Sequence, residues 1–377
     1  MVNIHPLLDE KRQALARRYE NESRLLGLAG SALTLVLLVA FYATGLSARL
    51  AHLWRGGPMV WPFLAYTACF LAWLTIPSLP LGFYRGYIRE HKWNFSTQRV
   101  KGWLSDQAKS FAVGLIMAWL VLALLLWIMA RFPRTWWLIA GLAMALVSVV
   151  MATLFPVVIL PIFHRYTPIE DKELTAALEE ILAREGLKSG GFFQEDMSRR
   201  TRKENAFLAG LGKTRRVVLG DNLVKQMTVP EIVSVIGHEV GHYKHKHIWK
   251  GLAVGTLDEL AIFFLLSIVM RAGFPGFAGS SREVLAVLPL MLIIGGAASS
   301  LVFGPAGNAL SRHFEKQADL YAVEQVRDTQ AFLTALAGLA NRNLGNAYPA
   351  WWVKVLFYTH PPFGERLQYI DEREGRL

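Results

Sequence analysis

Six apolar runs dominate this chain, at about 27–49, 60–84, 110–131, 135–162, 249–270 and 284–305. Each is long enough to cross the hydrocarbon core of a bilayer as a helix, which needs roughly 20 residues. Pro156 and Pro161 interrupt the fourth run, so it is expected to kink or end early. A chain that is 53% hydrophobic, with its apolar residues gathered this way, reads as a membrane protein rather than one with a large soluble core. The predicted fold class is therefore mainly α: a polytopic helical membrane protein of about six spans.

Lys and Arg set the orientation. In and around the seven segments that the runs separate, they number 5, 2, 6, 2, 15, 2 and 8 in chain order. The alternation is unbroken. Positive charge stays in the cytosol, which places both termini and the long fourth loop there. The net charge of +11 is accounted for by these flanking loops, so no nucleic-acid partner is inferred. The first 26 residues are too long and too acidic for the n-region of a cleaved signal peptide, and read as a partly helical cytosolic leader. Cys69 is the sole cysteine, so any metal site must use His, Asp and Glu.

The expected organisation is a leader (1–26), spans one to four (27–162), a soluble insert (163–248), spans five and six (249–305) and a second soluble part (306–377). In the insert, "DKELTAALEEILAREG" reads as an amphipathic helix ending at Gly186. "GGFFQEDMS", "NAFLAGLG" and "RRVVLGD" read as short strands, hence a small β-sheet. Thr228-Val229-Pro230-Glu231 is a capping box with Pro just inside, so a helix starts near Val229. No proline follows before Pro275, and that helix is expected to continue into the fifth span.

That helix carries His238-Glu239-Val240-Gly241-His242, an HExxH motif. Residues i and i+4 share a helix face, so both imidazoles can reach one ion, and imidazole suits zinc. Glu239 stands about 100° round the axis, where it can take a proton from a metal-bound water without ligating the metal. A histidine six residues past His242 would mark one zinc peptidase class, but that position is Ile248. His247 faces away from His238. His245 shares its face, yet three ligands on one straight helix span about 10 Å of rise, which disfavours it. A second class takes a glutamate from a later helix. "NALSRHFEKQADLYAVEQV" offers Glu315, with Asp319 on the same face to orient an imidazole or move a proton.

These residues resemble the integral-membrane zinc metalloproteases typified by the CAAX prenyl protease. "VIGHEVGHYKHKH", "SRHFEKQADLYA" and "THPPFGERL" carry the resemblance, and weaker likeness extends over most of the chain from about residue 60. It implies one Zn2+ held by His238, His242 and Glu315, with Glu239 as general base and Asp319 as a second acid. It also implies that Asn205 lines the substrate cleft on an edge strand, and that His360 and Arg366 steady the oxyanion or substrate. The eukaryotic members have seven spans around a large chamber. Six spans and a short chain suggest a bacterial member in the inner membrane.

Two further features lie in the spans. Asp258 and Glu259 stand two to three turns into the fifth run, facing either a chamber or the interface. Gly295 to Ser300 is a stretch of small residues expected to pack closely against a neighbouring helix. The expected function is a zinc-dependent endopeptidase acting near the membrane–cytosol boundary and, as the resemblance implies, like the CAAX prenyl protease in removing C-terminal residues after a prenylated cysteine. Its substrate would be a peptide or a membrane-anchored protein, prenylated or not. The rivals are a broad quality-control protease and a metal transporter or sensor.

Overall fold

The computed structural model describes residues 4–53, 59–187, 189–210, 216–274, 280–325 and 328–375. Residues 211, 212 and 215, at the margins of two predicted strands, and Pro275 lie outside the described residues.

Helix α1 (Glu10–Ala43) runs from the leader straight into the first span, capped by Asp9, whose side chain accepts from Arg12 N. A short α2 (Leu46–Ala51) follows. The second run is a bent pair, α3 (Val60–Thr75) and α4 (Leu79–Lys92), meeting at 53°. Pro77 and Pro80 remove two backbone donors there, which explains the break. Then come α5 (Val100–Arg131) and α6 (Trp136–Phe163). The expected interruption at Pro156 is a π-turn over Phe155–Ile159, through which α6 continues past Pro161. Among the described residues, five single helices are long and apolar enough to cross a membrane, and the bent pair, taken as one span, makes a sixth.

The insert holds β1 (Tyr166–Pro168), α7 (Lys172–Arg184), β2 (Phe192–Glu195), β3 (Ala206–Ala209), β4 (Arg216–Gly220), α8 (Asp221–Gln226) and α9 (Val229–Lys244). The four strands form one sheet in the order β1-β2-β4-β3, with β2 parallel to β4 and the other pairs antiparallel. The three predicted strands are present. β1 is three residues long, ends on a proline and lies at the sheet edge, so it left no alternating pattern to read.

Helix α9 begins as predicted, with Glu231 accepting from Thr228 N at 2.6 Å. Ile232, Ile236 and Val240 bury its apolar face against Leu174, Leu178 and Leu182 of α7 and Val217 and Leu219 of β4. Fully burying each such side chain contributes about 1.5–3 kcal/mol. The HExxH helix is therefore a core element, held rigidly on one side so that its other side can carry chemistry.

One expectation fails at the end of α9. The helix does not continue into the fifth span. Lys246 adopts a left-handed conformation (φ +56°), and α10 (His247–Gly273) starts afresh. The sixth span belongs to α11 (Ser281–Gln325), a long helix with a π-turn over Ser299–Phe303 that carries the chain out to Glu315 and Asp319. A second expectation is partly overturned. Gly295 packs against Ile262 of α10, but Gly296, Ala297 and Ser300 open onto an apolar groove shared with Gly27 and Gly30 of α1.

The chain closes with α12 (Thr329–Arg342), α13 (Trp351–Phe357) and α14 (Phe363–Glu374). The leader docks on this C-terminal part. Leu8 joins the core formed by Val323, Phe332 and Leu367, and Gln13 Oε1 accepts from Ala347 N. Glu20 accepts from Asn346 Nδ2 and from the Tyr358 hydroxyl, which fixes the segment leading to His360.

Candidate metal centre and cleft

His238 and His242 lie on α9 and face Glu315 on α11. His238 Nε2 and His242 Nε2 are 3.1 Å apart. Glu315 Oε2 is 3.3 Å from the first and Oε1 is 3.2 Å from the second. Among the described residues, these three form the single group of His, Cys, Asp or Glu able to hold a metal ion. Glu315 Oε2 is also buried without a hydrogen bond, an arrangement that is costly unless something else satisfies it. Two imidazole nitrogens and one carboxylate converging on one point are a donor set that fits zinc, with a fourth position left open.

Behind this group lies a buried ionic chain. Asp319 is fully buried, and its Oδ1 lies 2.7 Å from His238 Nδ1. Arg366 clamps the same carboxylate in two places, Nε to Oδ2 at 2.8 Å and Nη2 to Oδ1 at 2.5 Å. The Tyr369 hydroxyl donates to Oδ2 as well. Burial opposes a charge on His238, but the Asp319 carboxylate and then Glu315 more than offset it, raising its pKa to about 9. Desolvation in the cleft pushes His360 below its ordinary value, with the Arg366 charge acting in the same direction against the pull of Glu315.

A cleft of about 510 Å³ opens beside His238 and Glu315. Glu239 lies on its floor beside His238. Glu204, Asn205 and Ala206, at the start of β3, form one wall, and Thr359 to Phe363 form the other. Leu223, Val235, Phe332, Leu336 and Leu339 make an apolar side. β3 ends the sheet, and its first residue, Ala206, borders the cleft together with Glu204 and Asn205.

All eight residues singled out from the sequence come together here. Asn205 is exposed at the cleft wall, while its carbonyl accepts from Gly220 N. His360 Nε2 is 3.2 Å from Glu315 Oε1. Arg366 borders the cleft, but two of its nitrogens are committed to Asp319. His245 stands outside the group of His238, His242 and Glu315; its ring lies edge-on to Tyr321. Tyr369 and Glu20 escaped the sequence reading. Tyr369 stands three residues after Arg366 on one helix face, a spacing that could have suggested it. Glu20 lies more than 300 residues from its partners and left no local signal.

Residues 168–374 match the family model of peptidase family M48. The chain belongs to that family. Residues 3–165 match a second model, described as the CAAX prenyl protease N-terminal, five membrane helices. The chain is 30% identical to an uncharacterized metalloprotease, YhfN, of Bacillus subtilis (strain 168), over 96% of this chain and 86% of that one. It is also 30% identical to CAAX prenyl protease 1 of Saccharomyces cerevisiae, over 82% of this chain and 72% of that one. The crystal structure of S. mikatae Ste24p superposes with a TM-score of 0.85 at 25% identity, covering 97% of this chain and 90% of that one. This M48 protein is an integral-membrane metalloendopeptidase of the CAAX prenyl protease type.

Proposed function

We propose that this chain is a zinc endopeptidase in which His238, His242 and Glu315 hold the ion, and that it cleaves membrane-anchored peptides, prenylated ones among them. The convergence of those three groups beside a cleft lined by His238, Glu239 and Glu315 is the observation that supports it most. Zinc, when bound, would supply a Lewis acid and lower the pKa of its water toward about 7.

The chain's own residues do the rest. An extended substrate lies along the start of β3, where edge-strand backbone and Asn205 offer main-chain hydrogen bonds. Glu239 takes the proton of the attacking water and returns it to the leaving nitrogen. His360, neutral because its pKa is lowered, donates one N–H toward the carbonyl oxygen as charge develops there. Arg366 acts through Asp319, holding the carboxylate that aims His238. A side chain next to the scissile bond fits the apolar side of Phe332, Leu336 and Leu339. Both termini and the cleft are cytosolic in this reading, and a bacterial inner membrane is the site of action.

The test compares wild type with Glu239→Ala on a farnesylated CAAX peptide and on its unprenylated counterpart. Cleavage of the farnesylated peptide by wild type alone supports the proposal. Equal activity of the two enzymes overturns the chemistry, and equal cleavage of the two peptides removes the prenyl group from the specificity.

A further inference from the structure

The break between α9 and α10 brings one more histidine to the centre. On an unbroken helix His247, five residues after His242, would stand about 140° round the axis from it. Lys246 prevents that. Its left-handed backbone, φ +56°, is strained for a residue with a side chain, and persists only where surrounding structure enforces it. The turn delivers His247 Nδ1 to 2.9 Å from His242 Nδ1. The His247 ring is buried and lies flat on Phe314, with centroids 4.3 Å apart and planes 11° apart. Its other nitrogen, Nε2, is 2.9 Å from Gln317 Oε1.

A chain of two imidazoles and an amide can run in two directions. In one, the amide donates to His247, His247 donates to His242, and the His242 proton sits on Nε2, where it blocks a metal. In the other, His242 Nδ1–H donates to His247 Nδ1, and His247 Nε2–H donates to Gln317 Oε1. His242 Nε2 then keeps its lone pair toward Glu315 and His238. The carbonyl side of Gln317 is the one that meets His247, in agreement with the second direction.

We infer that His247 and Gln317 are positioning residues, which fix the tautomer and ring orientation of His242 for metal binding. This rests on the reading of His238, His242 and Glu315 as the metal site. The two ligand histidines are thereby held differently, His238 by a carboxylate and His242 by a neutral imidazole. Gln317 lies between Glu315 and Asp319 on α11, so one helix supplies a ligand and a support for each histidine.

The experiment measures zinc affinity of the metal-free full chain in detergent by chelator competition. His247→Phe keeps a flat ring on Phe314 and removes the acceptor. His247→Asn keeps an acceptor oxygen near the place of Nδ1. Losing such a support costs about 10–100-fold in metal affinity. We expect that loss in His247→Phe, recovery of most of it in His247→Asn, and a smaller loss in Gln317→Leu. Should His247→Phe fail to fold, Gln317→Leu decides alone, and wild-type affinity there overturns the inference. Wild-type affinity in His247→Phe, or equal weakness of the Phe and Asn variants, also overturns it. His242→Ala is the separate control: undiminished zinc binding there would remove the site reading itself, whatever the His247 variants do.

Discussion

A Cβ on Gly241 would lie 2.9 Å from Ala318 Cα and 3.0 Å from the Ala318 carbonyl oxygen. The two helices that carry the proposed ligands therefore meet backbone to backbone, beside His242 on one and between Glu315 and Asp319 on the other. The glycine inside HExxH sets the distance between His242 and Glu315. Gly241→Ala must push the helices apart, because neither contact is the end of a flexible side chain. Overpacking of this kind costs about 1–3 kcal/mol. A lower melting temperature in detergent, together with weaker zinc binding, is the expected result.

Asp319 sits between His238 and Arg366 with no access to solvent. Removing one partner of a buried ion pair strands the other and costs about 3–5 kcal/mol. Asp319→Ala should lose that much in thermal unfolding. The double variant Asp319→Leu with Arg366→Met should recover a good part of it, while failing to restore metal affinity. Recovery of both would show that the pair has no part in aiming His238.

The raised pKa of His238 gives metal binding a definite pH dependence. Below about 9 the metal-free imidazole is charged, so binding must displace its proton. Zinc affinity should rise roughly tenfold per pH unit between about pH 7 and 8, with a proton released, as read by calorimetry in buffers of different ionisation enthalpy. In the metal-free protein the same shift works the other way. A pKa raised above its unfolded value stabilises the fold fully below about 6.5, and that contribution is lost as pH rises through about 9.

His360 approaches the site from a loop that Glu20 and Tyr358 brace. If it steadies the developing oxyanion, His360→Ala should lower kcat by about 10²–10³ with little change in KM or in zinc content. A change confined to KM would place His360 in substrate binding instead.

The sequence carried the spans and the cluster of His238, His242 and Glu315 because both are written at short range. Apolar runs of bilayer length need no tertiary context, and His238 and His242 declare a shared face by spacing alone. Glu315 was legible because it, too, lies on a periodic helix, with Asp319 one turn on. What escaped detection depends on backbone geometry or on distant pairing. Nothing in "HYKHKHIWK" announces that Lys246 adopts a left-handed conformation, so His247 looked misplaced by helical arithmetic when it in fact turns back to His242. Arg366 was expected to steady the oxyanion or substrate, and only the fold shows its guanidinium bonded to Asp319. The leader read as a separate segment, but Gln13 and Glu20 hold the loops beside the cleft.

The proposed chemistry depends on Glu239. It borders the cleft next to His238 without belonging to the ligand group, so its loss should spare the metal and stop the chemistry. The direct measurement is zinc content and peptide hydrolysis in one preparation of Glu239→Gln. We expect one zinc per chain, as in wild type, with turnover reduced by about 10²–10⁴-fold. Wild-type turnover in a Glu239→Gln enzyme that holds its zinc would contradict the mechanism.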